Sequence, residues 1–237
     1  MVIKYILFDL DGTLLPMDQE VFIREYYGGL IKKIVPLGFE AQNMLKGVGA
    51  GVKAMVLNDG SRTNEEVFWE QFAGYMGEEI LQHKSVFEEY YRNEFQQVAA
   101  SCGKNPKAKE AVETLKAKGY KVALATNPLF PAIATESRIR WTGMQPEDFE
   151  LYTTYEDMRY CKPNLKYYEQ VLERLGVKAE ECLMVGNDVD EDMIARELGM
   201  KVFLITDCVI NKHDKDISVY PNGGFEDLLK YVEANEK

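Results

Sequence analysis

Four short apolar runs constrain this chain more than any other feature: YILF at 5–8, VALAT at 122–126, CLMVG at 182–186 and VFLIT at 202–206. Each is continuous rather than alternating, so a strand built from it must hide both faces, and such strands belong to a parallel sheet. FELYTTY at 149–155 is a weaker fifth candidate. Helical patterns separate the runs: PKAKEAVETLKAKG at 106–119, NLKYYEQVLERLG at 164–176 and DEDMIARELG at 190–199, each closing on the glycine that helices favour there. FEDLLKYVEANEK follows at 225–237. Strands alternating with helices predict an α/β fold with helices on both sides of a parallel sheet, whose ligands sit beyond the carboxyl ends of the strands.

Residues 16–102 interrupt that alternation. They hold no strong strand run and are dense in helix formers and aromatics, as in NEEVFWEQFAGYM and HKSVFEEYYRNEFQQVAA, which predicts a helical unit inserted after the first strand. Gly28-Gly29, Pro36-Leu37-Gly38 and Gly60-Ser61 are its expected turns. The 237 residues then divide into a core, 1–15 with 103–237, and a small helical domain, 16–102. A net charge of −11 opposes binding to nucleic acid and to anionic membrane surfaces. The apolar stretch before Asp9 is too short for a secretion signal or a membrane span, so a cytoplasmic protein is expected, with a monomer as its expected state. Cys102, Cys161, Cys182 and Cys208 form no CxxC pair and read as reduced thiols, with Cys182 in the core.

The polar residues that carry chemistry gather at the strand ends. In KYILFDLDGTLL, Asp9 and Asp11 are two apart and face the same side of an extended strand. Two carboxylates there repel, and a hard divalent cation with oxygen ligands, magnesium above all, relieves the repulsion. Gly12 lets the backbone turn or approach a ligand closely, and Thr13 adds a hydroxyl. VALAT ends on Thr126-Asn127, a hydroxyl and an amide able to bond phosphoryl oxygens. Lys162, in CKPN, stands just before a helix start, where ammonium and helix terminus both suit an anion. LMVGNDVDEDMI follows Gly186 with Asn187, Asp188, Asp190, Glu191 and Asp192, and the four-residue spacing of Asp188 and Asp192 lets both address one cation. Each motif alone has an everyday explanation: a strand-stopping loop, a turn before Pro128, a solvated lysine, an acidic helix cap. All four, however, fall where an α/β sheet makes its site.

DLDGT, Thr126, Lys162-Pro163 and GNDVDED resemble, in order, the four motifs of the haloacid dehalogenase superfamily of phosphohydrolases. The resemblance spans a Rossmann-like core, 1–15 and about 103–237, and the insertion is similar to the small helical cap of that superfamily's first subclass, which includes phosphoglycolate-phosphatase-like and β-phosphoglucomutase-like enzymes. The resemblance implies a Mg2+-dependent phosphatase acting on a small phosphorylated metabolite. Asp9 would be the nucleophile that forms an aspartyl-phosphate, and Asp11 the general acid and base. Thr126 and Lys162 would hold the phosphoryl oxygens; Asp9, the main-chain carbonyl of Asp11 and Asp188 would bind the metal, with Asp192 bracing Lys162 or the metal shell. Many relatives carry Gly-Asp where this chain has Gly186-Asn187, so Asp188 is the expected ligand and Asn187 the alternative. A sugar phosphomutase is the competing enzyme, and a ligand-binding protein without turnover the competing class. Asp11 opposes a dehalogenase or phosphonate hydrolase, whose branches lack an acid there. Arg62 is the cap charge expected nearest the substrate's distal group; His83 and His213 are expected at the surface, and 207–224 as a hairpin or irregular flap.

Overall fold

A computed structural model describes residues 3–235. Five strands, β1 (Tyr5–Phe8), β2 (Lys121–Leu124), β3 (Cys182–Gly186), β4 (Lys201–Ile205) and β5 (Asn222–Gly223), pair in parallel in the order β2-β1-β3-β4-β5. The first four are the apolar runs read from the sequence, shifted by a residue or two at β2 and β4. Their two faces separate as a strand buried on both sides requires. Ile6, Phe8, Val122, Leu124, Val185 and Phe203 pack against α5 (Pro106–Ala117) and α8 (Phe225–Ala234). Tyr5, Leu7, Ala123, Met184 and Val202 pack against α7 (Leu165–Leu175) on the other face. The last two residues of the 225–237 stretch lie outside the described residues.

The fifth strand is not where the sequence suggested. FELYTTY forms only an isolated bridge, Leu124 to Tyr152, although Leu124 donates to Leu151 O at 2.7 Å and Glu150 to Val122 O at 2.9 Å. The true fifth strand, β5, is two residues long and lies in the 207–224 segment, too short to show an apolar run. Residues 190–199 form a 3-10 turn at Met193–Leu198 instead of an α-helix. A further helix, α6 (Ala132–Trp141), had no signal in the sequence because its buried face carries Thr135, Ser137 and Arg138.

Between β1 and β2 the chain is helical, as expected: α1 (Gln19–Ile34), α2 (Ala41–Val56), α3 (Asn64–Met76) and α4 (Lys84–Arg92), with 3-10 turns between and after them. Asp18 caps α1 by accepting from Glu20 N and Val21 N, and Thr63 with Glu66 forms a capping box on α3. Gly28-Gly29 is a correction, since both residues lie inside α1. A Cβ on Gly29 would fall 2.7 Å from the Tyr90 ring, so glycine there permits close approach of α1 and α4 rather than a turn. Phe22, Tyr26, Trp69, Phe72, Phe87, Tyr90 and Phe95 of this segment are buried together with Ala134 of α6. Met17 and Cys102 pair in an antiparallel bridge where the segment leaves and rejoins the sheet.

Candidate active site

The carboxyl ends of β1 and β3 lie side by side, because the chain passes from β1 to β2 on one side of the sheet and then returns to β3 on the other. That reversal opens the crevice where α/β sheets take ligands. Asp9 N donates to Val185 O at 2.9 Å, which carries the strand register into the loop and fixes where the Asp9 side chain emerges.

Lys162 lies at the centre, 1% exposed, with Nζ 3.0 Å from Asp9 Oδ1 and 2.6 Å from Asp192 Oδ1. Burial alone would lower the ammonium's pKa; the carboxylates of Asp192 and Asp9 outweigh it and hold the group well above its ordinary range. One ammonium does not balance its neighbours. Burial pushes the Asp9 carboxyl up despite Lys162, raises Asp192 to about 6 and Glu191 to about 7. Asp188 is buried beside them. Four acidic groups around a single lysine leave an excess of negative charge, the electrostatic setting a divalent cation neutralises.

The acidic motif after β3 is less uniform than its sequence. Asp188 Oδ1 accepts from Asp190 N at 2.8 Å and Glu191 N at 2.9 Å, leaving its second oxygen for the cavity. Asp192 spends one oxygen on Lys162 and the other on Asp188 N at 2.9 Å, so both are engaged within the protein. Asn187 is likewise committed at both ends, accepting from Thr13 Oγ1 at 2.9 Å and donating to Cys208 O at 2.7 Å. Among the described residues no three His, Cys, Asp or Glu side chains converge as a metal-binding group by themselves.

Asp9, Asp11, Thr126, Asn127, Asp188 and Asp192 line one cavity of about 760 Å3. Thr126 is fixed through its main-chain oxygen, which accepts from Thr153 Oγ1 at 2.6 Å and Tyr167 OH at 2.8 Å. Asn127 donates to Glu191 at 2.9 Å and keeps Oδ1 buried without a partner. Gly12 is not on that cavity wall: at φ +87 it lies beneath Asn187, where a Cβ would come within 2.3 Å of the amide nitrogen. The role that the structure supports for Gly12 is close approach to Asn187.

Arg138 escaped the sequence reading. It is wholly buried on α6 and its guanidinium pairs with Asp11 Oδ2, donates to Thr135 Oγ1 at 3.2 Å and stacks 4.3 Å from the Phe130 ring. Asp11 Oδ1 remains buried without a partner, and burial pushes the Asp11 carboxyl up against the pull of Arg138. Nothing in SRIRW distinguishes Arg138 from exposed Arg140 two residues on. Arg62, by contrast, is an exposed residue paired with Glu70 at 2.7 Å and does not line the cavity. The 207–224 segment is anchored to the acidic loop, with Ile210 bridging Asp188 and Lys215 2.5 Å from Asp190. His213 is exposed, and His83 packs edge-on against Phe39.

A parallel sheet whose switch point gathers carboxylates around one buried ammonium is the architecture of an α/β enzyme. Residues 3–199 match the haloacid dehalogenase-like hydrolase family, and the chain belongs to it. It is 29% identical to the glyceraldehyde 3-phosphate phosphatase of Methanocaldococcus jannaschii over the full length of both. It is 25% identical to the pyrophosphatase PpaX of Bacillus cereus over 87% of this chain and 84% of that one. Among solved structures, the HAD-hydrolase YfnB of Bacillus subtilis, bound to magnesium, shares the fold with a TM-score of 0.56 and 17% identity, covering 98% of this chain and 99% of that one.

Proposed function

We propose that this hydrolase is a phosphatase that cleaves small-molecule phosphomonoesters through a phosphoryl group carried on Asp9. The observation that carries the reading is the buried Asp9–Lys162–Asp192 array, whose Asp9 and Asp192 line the cavity that also holds Asp11. A full-length relative named as a phosphatase and a relative over 87% of the chain named as a pyrophosphatase support it.

Asp9 Oδ attacks phosphorus, a P–O bond forms and the ester P–O bond breaks. Asp11 gives its proton to the departing alkoxide; its burial favours the protonated form this requires. Water then attacks the same phosphorus, Asp11 takes the proton back, and the acyl-phosphate P–O bond breaks to restore Asp9. Lys162 favours the ionised form of Asp9 against its burial and orients it, while Asp192, fixed by Asp188 N, keeps Lys162 in place. Thr126 and Asn127 face the phosphoryl oxygens from the end of β2. Asp9, the Asp11 carbonyl and Asp188 would hold Mg2+, which supplies positive charge to the phosphoryl oxygens. The committed hydrogen bonds of Asn187 and Asp192 favour Asp188 as the ligand after β3 and assign Asp192 to bracing. Residues 16–102 act as a cap domain over a core of 1–15 and 103–237, shielding the acyl-phosphate from bulk water.

The test is phosphate release from an aryl phosphate with magnesium and with a chelator. Metal-dependent release that disappears in Asp9→Asn supports the proposal; full turnover in that variant, or none in the native chain, rejects it.

A further inference from the structure

Selectivity must come from the part of the cavity the phosphoryl group does not fill. At about 760 Å3 the space is within the range that holds drug-sized ligands and is far larger than a three-carbon alcohol needs. Its walls away from Asp9 are dominated by rings. Tyr27, Phe68 and Phe130 are half-buried, the nearly buried Trp69 and Tyr155 also line the space, and Val52 of α2 lines the same cavity. Half-buried rings lining a cavity favour an apolar, aromatic occupant that can pack against them.

The charges point the same way. Glu65, Glu88, Glu136 and Glu156 line these walls, against Lys84, Arg92 and Lys212. Lys84 already sits 4.7 Å from the Trp69 ring centre. A second anionic group on the substrate would therefore meet more acid than base. One polar anchor is available within the aromatic wall. Tyr26 and Tyr91 hydroxyls share a 2.7 Å bond, and two hydroxyls joined by one bond retain an O–H for a ligand.

We propose that the natural substrate is the phosphomonoester of a large, flat, uncharged alcohol, aromatic or fused-ring, rather than a triose, a carboxylate-bearing metabolite or pyrophosphate. This rests on the phosphatase reading, and the experiment separates the two. Naphthylethyl phosphate and glycerol phosphate both release a primary alkoxide, so their intrinsic reactivities match and the comparison reads the cavity. Each methylene-sized group buried against apolar walls favours the larger ester by about fourfold. The expected kcat/KM is at least roughly a hundredfold higher for naphthylethyl phosphate.

Equal or better turnover of glycerol phosphate, glyceraldehyde 3-phosphate or pyrophosphate would overturn the substrate assignment while leaving the phosphatase intact. So would preference for phosphocholine, which would mean that the acidic aromatic walls select a cation. No release from any ester with magnesium would instead reject the phosphatase reading itself. Val52→Phe, which narrows the ring-lined end, should lower kcat/KM for naphthylethyl phosphate at least about tenfold more than for glycerol phosphate. Equal losses on both would count against the proposal.

Discussion

Arg138→Met is the sharpest perturbation of the site that the sequence did not announce. Methionine replaces the aliphatic stem and removes the guanidinium, leaving the Asp11 carboxylate, one of whose oxygens already has no partner, with neither oxygen paired. Breaking a fully buried pair from one side costs about 3–5 kcal/mol. Asp11 retains 23% of its side-chain exposure and burial has already raised its pKa, so it can hydrate or protonate, and the lower end applies. Adding the lost ring contact with Phe130, we expect about 3 kcal/mol and a fall in Tm of roughly 6–12 °C for a chain of this size. Thermal unfolding of Arg138→Met, Asp11→Asn and the double variant forms a cycle. The double variant should lose less than the sum of the singles by about 1 kcal/mol or more, because neither is left with a buried unpaired charge. Activity should fall mainly in kcat, as Asp11 loses its orientation. Strict additivity, or a Tm within about 1 °C of native for Arg138→Met, would refute the reasoning.

Three further outcomes follow from the same charges and contacts. Glu191 has a folded pKa of about 7 against its ordinary 4.5, so its contribution to stability is present at low pH and is lost as pH rises through that window. Glu191→Gln, melted in chelator, should match native at about pH 4 and exceed it by several degrees at about pH 8; a constant offset would contradict this. Gly29→Ala places a Cβ 2.7 Å from Tyr90 and should lower stability by about 1 kcal/mol or more despite alanine's better helix propensity; a gain in Tm would show that α1 and α4 can separate freely. Magnesium at millimolar level should raise Tm in native protein by offsetting the repulsion among Asp9, Asp188, Glu191 and Asp192, and should do so much less in Asp188→Asn. An equal rise in both proteins would remove Asp188 from the metal site.

What the sequence disclosed and what it withheld divide along physical lines. Strands buried on both faces need unbroken apolar runs, so β1 to β4 were visible, whereas β5 needs only two residues on the edge of β4 and left no trace. Asp9, Thr126, Lys162 and Asp188 were legible because they stand directly after strands or before a helix, where local spacing fixes their position. That the Asn187 amide is engaged at both ends was not legible, because it depends on Thr13 and Cys208, distant in sequence. Arg138 and the ring-lined walls were hidden for the same reason. A buried arginine looks like a surface one until its partner arrives from another element, and the aromatics of α1, α3 and α4 have the same spacing whether they fill a core or border a cavity. Here Phe22, Tyr26 and Trp69 do both.

The covalent role of Asp9 is the central claim, and trapping tests it most directly. Acid-quenching the enzyme during turnover of a phosphomonoester with magnesium, reducing with borohydride and mapping the peptides converts a phosphorylated aspartate to homoserine. The account predicts homoserine at position 9, appearing only with substrate and absent in Asp9→Asn. Turnover with no modified residue, or with homoserine at Asp11 or Asp188 instead, would contradict it.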